Sequence, residues 1–191
     1  MLNLLISLLL LPLGCNNLDI MIVADYSGSV RGNEKFVVNA ISSFSNKLDI
    51  SEDNINMGIV IFNSYSENIC NLSGDREYIN SRIDLLGTNL AASTTNLSSA
   101  LYMAFDELFK NGREGYKKVI ILISDGVPDN EDESEQIAIQ LKQLNVQIYT
   151  ISIEDGVYNR EYMQKIASDQ CFFSSDYNNL IKTLDQLNLC L

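Results

Sequence analysis

The sequence predicts an α/β fold: three layers, doubly wound, around a mostly parallel central sheet with one antiparallel edge strand. Three observations carry that expectation. The stretches Leu18–Asp25 and Lys117–Ser124 are rich enough in apolar residues, and of the right length, for strands covered on both faces. Each run leads into an aspartate, Asp25 or Asp125, followed by turn-forming residues. Strand-type and helix-type segments then alternate along the chain, with no long linker, repeat or low-complexity block.

The first strand occupies Leu18–Asp25. Val37, Ala40, Ile41, Phe44 and Leu48 recur at helical spacing and predict an amphipathic helix from about Val30 to Asp49. Asn56–Asn63 is β-branched and reads as the second strand. Tyr65–Leu72 alternates weakly, as an antiparallel edge strand would. Gly74–Leu86 is helical through Tyr78, Ile79, Ile83 and Leu86, with acidic residues at its start. Gly87–Thr95 is a loop of small residues. Leu97, Leu101, Ala104, Phe105 and Leu108 line the next helix, which Asn111-Gly112 closes. Lys117–Ser124 is the clearest buried strand. Glu131–Leu144 is helical with Ile137, Leu141 and Leu144 inward, and its acidic start, Asp129–Glu133, reads as a solvated first turn. Val146–Ser152 is a strand, Asn159–Ala167 a short helix, and Cys171–Phe173 a last short strand. Asp176–Leu189 is a closing helix through Leu180, Ile181, Leu184 and Leu187.

Composition narrows the function classes. The 191 residues suffice for one domain with a real core, and 46% hydrophobic content argues against disorder. Acidic residues number 25 against 13 basic, for a formal charge of −12. That field repels phosphate backbones and anionic lipid surfaces, so nucleic acid is not an expected partner. The chain contains no histidine, which removes histidine-based triads and most zinc sites.

The apolar segment before Pro12-Leu13-Gly14 has the length of a signal-peptide core and is short for a membrane span. Residues 1–14 therefore read as a signal peptide and 15–191 as one secreted domain, not inserted in a membrane. The alternative is lipid anchoring at Cys15. Cys15 and Cys190 flank the domain, and because domain termini often lie close together they are expected to pair. Cys70 and Cys171 have no obvious relation, and each can equally be a buried free thiol. Sequons stand at Asn71-Leu72-Ser73 and Asn96-Leu97-Ser98. A glycan on Asn96 would obstruct the rim discussed next, so Asn96 is expected to stay unmodified.

In an open α/β sheet, ligands bind beyond the carboxyl ends of the strands. Asp25, Ser27 and Ser29 lie there after the first strand, Thr95 opens a helix on the same rim, and Asp125 follows another buried strand. These are hard oxygen donors of the kind that suits Mg²⁺ or Mn²⁺, with Ca²⁺ a poorer match. Mostly neutral, they leave a bound cation short of negative charge and open to an outside carboxylate. Taken singly, Asp25 and Asp125 read as helix caps and the serines as turn formers. Five groups converging on one rim favour the metal.

Asp25-Tyr26-Ser27-Gly28-Ser29, a threonine ahead of a helix, and Ser124-Asp125-Gly126 resemble the von Willebrand factor type A domain and its metal-ion-dependent adhesion site. That family shows Asp-x-Ser-x-Ser, then Gly-Gly-x-Thr-x-Thr-Gly, then Thr-Asp-Gly. Here the middle element is Ala91-Ala92-Ser93-Thr94-Thr95-Asn96, without the glycines, which places the ligand at Thr95 with Thr94 as the alternative. The resemblance covers Leu18–Leu189 and implies a non-enzymatic extracellular adhesion module whose protein partner offers an Asp or Glu to the metal. Its flanking cysteines also look like those that close many extracellular members. Two further readings remain: a self-associating structural subunit, and a Mg²⁺-dependent phosphoryl-transfer enzyme. The latter lacks the second aspartate that such phosphatases commonly carry, since Ser27 stands there.

Overall fold

The computed structural model describes residues 17–86, 94–153, 157–187 and 189. Residues 1–14, expected as a signal peptide, Cys15, Cys190 and the loop residues up to Ser93 lie outside them. Strands β1 (Leu18–Asp25), β2 (Ile55–Phe62), β3 (Ser66–Ser73), β4 (Lys117–Ser124), β5 (Val146–Ile153) and β6 (Phe172–Ser175) form one sheet in the order β3-β2-β1-β4-β5-β6. β3 runs antiparallel to β2; every other pair is parallel. The expected architecture is therefore the observed one, including its antiparallel edge.

Side chains alternate across the sheet and build a separate core on each face. Ile20, Ile22 and Ala24 of β1 and Val119, Ile121 and Ile123 of β4 pack under α1 (Glu34–Lys47), α2 (Arg76–Leu86) and α6 (Leu180–Leu184). Met21, Val23, Ile120 and Leu122 point the other way, under α3 (Leu97–Lys110), α4 (Glu131–Gln143) and α5 (Val157–Ile166). Because both faces are covered, β1 is buried along its whole length. Truncating a central residue such as Ile121 to alanine would cost about 2–5 kcal/mol.

Two buried carboxylates, Asp19 and Glu107, have structural partners within this frame. Asp19 is fully buried at the amino end of β1, where Arg113 donates to its carboxylate from both the main chain (2.6 Å) and Nε (2.8 Å). Glu107 on α3 accepts the Leu72 N–H at 2.8 Å, supplying an acceptor to the edge strand β3. Cys70 and Cys171, whose state the sequence leaves open, are buried free thiols. No helix among the described residues is long and apolar enough to cross a membrane.

Several boundaries differ from expectation. The first helix starts at Glu34, not near Val30, because Gly28–Val30 form a 3-10 turn and Gly32 adopts φ +89°. That left-handed step suits glycine and breaks the helical path before α1. The closing helix is Leu180–Leu184, not Asp176–Leu189. Asp176 accepts hydrogen bonds from the main chain (3.0 Å) and side chain (2.7 Å) of Asn179, holding that segment in a turn. Ile181 and Leu144, expected inward, are 39% and 49% exposed.

Candidate metal centre

The carboxyl ends of β1, β2 and β4 lie side by side, with Asp25 opposite Phe62 and Ala24 opposite Ile123. The Tyr26 N–H bonds to the Phe62 carbonyl at 2.7 Å, which prolongs the ladder one residue past β1. The chain then enters the 3-10 turn, and this short turn delivers Ser27 and Ser29 beside Asp25.

Four of the five predicted residues form one connected chain. Asp25 Oδ1 accepts the Ser27 N–H at 2.8 Å. The hydroxyl oxygens of Ser27 and Ser29 are 2.9 Å apart, and Ser29 Oγ donates to Asp125 Oδ1 at 2.6 Å. Asp25 Oδ2 in turn accepts from Ser124 Oγ at 2.5 Å. The Asp25–Ser27 contact is also the local turn that a purely structural aspartate would make. A turn alone does not account for Ser29 reaching Asp125 across the rim.

Thr95 is placed differently. It is half-buried on the same rim, and among the described residues it makes no hydrogen bond to the other four. Its N–H donates to Asp129 Oδ2 at 2.9 Å, and its carbonyl accepts the Asp129 N–H at 3.0 Å. The next residue, Asn96, ties its N–H to the Asn63 carbonyl just beyond β2 at 2.7 Å and caps α3 by accepting from the Ser99 N–H. Thr94, the alternative, is exposed.

Three participants escaped the sequence reading. Ser124 holds Asp25, and the cue was its hydroxyl in the place where the family carries threonine. Tyr177, from the turn before α6, donates to Asp125 Oδ2 at 2.6 Å; nothing local to its sequence signals this. Asp129 was expected in a solvated helix start, and its carboxylate instead clamps the threonine loop. Glu133 of the same run accepts from Ser98 Oγ at 2.8 Å.

The electrostatics of Asp25 follow from its position. It is 2% exposed, and burial pushes its pKa up to about 6; hydrogen bonds from Ser124 and Ser27 offset part of this, while the Asp125 charge adds to it. A carboxylate so placed gains from a nearby positive charge. Adjacent ligands of an octahedral Mg²⁺ lie about 2.9 Å apart. The Ser27–Ser29 oxygen separation equals that edge. Among the described residues no three His, Cys, Asp or Glu side chains gather into a cation-binding group. The rim set is hydroxyl-rich with two carboxylates, and it fits a small hard dication.

Comparison with known proteins agrees with the fold. Residues 19–186 match the model of the von Willebrand factor type A domain. Thrombospondin-related anonymous protein of Plasmodium berghei (strain Anka) is 30% identical over 155 residues, covering 76% of this chain and 25% of that protein. Vitrin of Mus musculus is 27% identical over 184 residues, covering 92% of this chain and 27% of that protein. The chain thus spans about a quarter of the length of these curated relatives. The crystal structure of manganese-loaded Plasmodium vivax TRAP protein superposes with a TM-score of 0.76 at 26% identity, covering 88% of this chain and 72% of that one. Proximal thread matrix protein 1 from the mussel byssus, with a zinc occupied MIDAS motif, gives a TM-score of 0.77 at 22% identity, covering 90% and 44%. That last likeness is one of fold. By sequence match and by architecture, the chain belongs to the von Willebrand factor type A domain family.

Proposed function

We propose that this chain is an extracellular, adhesion-type protein-binding module whose rim holds a divalent cation, Mg²⁺ or Mn²⁺, for a partner's Asp or Glu carboxylate. The observation that carries the reading is the oxygen chain Ser27–Ser29–Asp125, with Asp25 behind it. Support also comes from a 26% identical relative solved as a manganese-loaded protein. Other relatives, a sporozoite surface protein and a collagen chain among them, support an extracellular setting. In that setting residues 1–14 are a signal peptide and Cys15 pairs with Cys190.

Each residue has a distinct task. Ser27 and Ser29 offer neutral lone pairs, and Ser29 can do so while its O–H keeps donating to Asp125. Thr95, fixed by Asp129, adds a third hydroxyl. Asp25 and Asp125 supply negative charge, directly or through water. A bound dication would supply an incompletely neutralised Lewis-acid centre for an incoming carboxylate.

The test is thermal unfolding with and without Mg²⁺ or Mn²⁺. The wild type should be stabilised by the ion, while Ser29→Ala and Asp25→Ala should fold yet lose that increment. An equal response in wild type and variants would refute the cation reading. Partner binding that ignores a chelator would favour a self-assembling structural role instead.

A further inference from the structure

Opposite the rim, at the amino ends of the strands, the turn between α3 and β4 carries Glu114 at its tip. Glu114 is exposed, and its carboxylate has no hydrogen-bond or ion-pair partner among the described residues. Gly115 beside it has φ +77°, and a Cβ there would meet nothing within 4 Å, so the tip stands clear of the fold. The flanking residues are fixed. Arg113 reaches the buried Asp19 carboxylate through its main chain and Nε, and its guanidinium also donates to the carbonyls of Leu18 (2.7 Å) and Asn54 (3.2 Å). Lys118 Nζ donates to the Arg113 carbonyl at 3.1 Å, and the Tyr116 hydroxyl to the Asp53 carbonyl at 3.1 Å. The fold thus presents a free carboxylate on a clamped turn, which has little conformational entropy left to lose on binding.

The charges at the two ends of the sheet are complementary. Across residues 110–118 Glu114 is the only acidic side chain, set among Lys110, Arg113, Lys117 and Lys118. The rim is bordered by Asp129, which holds Thr95, and by Glu131, Asp132 and Glu133 at the start of α4. A carboxylate set among cations meets less repulsion at such a border than an acidic segment would. We infer that the carboxylate accepted at the rim is Glu114 of a second copy of this chain, with the surrounding basic residues meeting the acidic start of α4. Glu52 and Asp53 are also exposed at this end, but they stand side by side and would bring a doubled negative charge to an acidic surface. Rim and turn lie at opposite ends of β1, so the contact is heterologous. Each pairing leaves one rim and one turn free, and association is open-ended. The inference rests on the cation reading of the rim and names the partner of that same site.

The experiment is sedimentation velocity of the full chain in Mn²⁺ and in chelator, over a wide range of protein concentration, with thermal melts of the same samples. In Mn²⁺ the wild type should form species that grow with concentration and do not stop at a dimer, and chelator or added salt should disperse them. Glu114→Gln should weaken this association about tenfold or more while keeping the full thermal stabilisation by Mn²⁺. Glu114 is exposed and unpaired, so that variant should fold. Ser29→Ala should lose both the association and the stabilisation. Mixed in equal amounts, the two variants should give dimers, because the intact rim of the first meets the intact turn of the second and growth ends there. If Mn²⁺ stabilises the wild type, three results would overturn the inference and leave the cation reading standing: no association, association that survives chelator, or association undiminished by Glu114→Gln. Mixed variants that stay monomeric would overturn it equally. A wild type that Mn²⁺ does not stabilise would overturn the cation reading, and the inference with it.

Discussion

Tyr177 donates its hydroxyl hydrogen bond to Asp125 Oδ2 at 2.6 Å, across 52 positions of sequence, while Ser29 holds the other oxygen of the same carboxylate at 2.6 Å. Tyr177 is 5% exposed and packs beside the Phe36 ring at 6.2 Å, so the turn before α6 is joined to the rim through a rigid side chain. Its hydrogen bond stabilises the charge on Asp125 before any cation arrives. Tyr177→Phe should therefore lower the stability of the cation-free protein by about 1 kcal/mol and tighten Mn²⁺ binding severalfold. Calorimetric titration with Mn²⁺ and melts of the chelated protein measure the two effects separately. Weaker Mn²⁺ binding in the variant would show that Tyr177 aims the carboxylate more than it quenches it.

Asp25 makes stability depend on pH with a defined sign. Its pKa is about 6 in the folded chain against 3.8 when free, chiefly through burial. Between those values the folded state keeps a proton that the unfolded state has released. Stability of the cation-free protein should thus be highest at the acid end of that window and fall as pH rises through about 6. The fall should be on the order of 2–3 kcal/mol. A dication competes with that proton, so the Mn²⁺ increment should be full well above this pKa and fade below it. Asp25→Asn should flatten both curves, and melts across the range with and without Mn²⁺ decide the matter.

Asp129 never needs to touch the ion to matter. It grips Thr95 from both sides, with the carboxylate on the Thr95 N–H and its own N–H on the Thr95 carbonyl. Asp129→Ala removes the first of these and lets the threonine loop drift. Outer residues of this kind typically control about tenfold or more in metal affinity. The variant should lose about tenfold in Mn²⁺ affinity by titration, with its melting temperature in chelator hardly changed. An unaltered affinity would mean Thr95 is fixed by the Asn96–Asn63 contact alone.

The fold was legible because burial on two faces writes itself into composition: β1 and β4 could scarcely be read as anything but central strands. Asp25, Ser27 and Ser29 were legible because they lie within one turn, where spacing in sequence is spacing in space. Tyr177 and Asp129 were not, since only the tertiary path brings them to Asp125 and Thr95. The closing helix was over-read for a related reason. Apolar spacing at Leu180, Ile181, Leu184 and Leu187 suggests a long helix, but Asp176 bonds Asn179 and holds the preceding residues in a turn. Gly32 acted in the same way at the start of α1, where its φ of +89° was not visible as pattern.

Asp19 gives a control that separates stability from the rim. It lies at the opposite end of β1 from Asp25, fully buried, and Arg113 reaches it through the main chain and the guanidinium. The same guanidinium also donates to the carbonyls of Leu18 (2.7 Å) and Glu52 (2.6 Å) and lies over the Tyr116 ring at 3.7 Å. Removing one partner of such a pair strands a charge in the interior, at a cost of about 3–5 kcal/mol. Arg113→Ala should lose that much in denaturant unfolding, and Asp19→Ala a comparable amount. Replacing Asp19 and Arg113 together with apolar residues should recover part of the loss, because no lone charge then remains buried. In each variant that still folds, the Mn²⁺ increment should match the wild type, since the rim oxygens proposed to hold the ion sit a full strand length away. A variant that lost the increment while staying folded would show that the two ends of β1 are coupled, and the rim could no longer be treated as a local site.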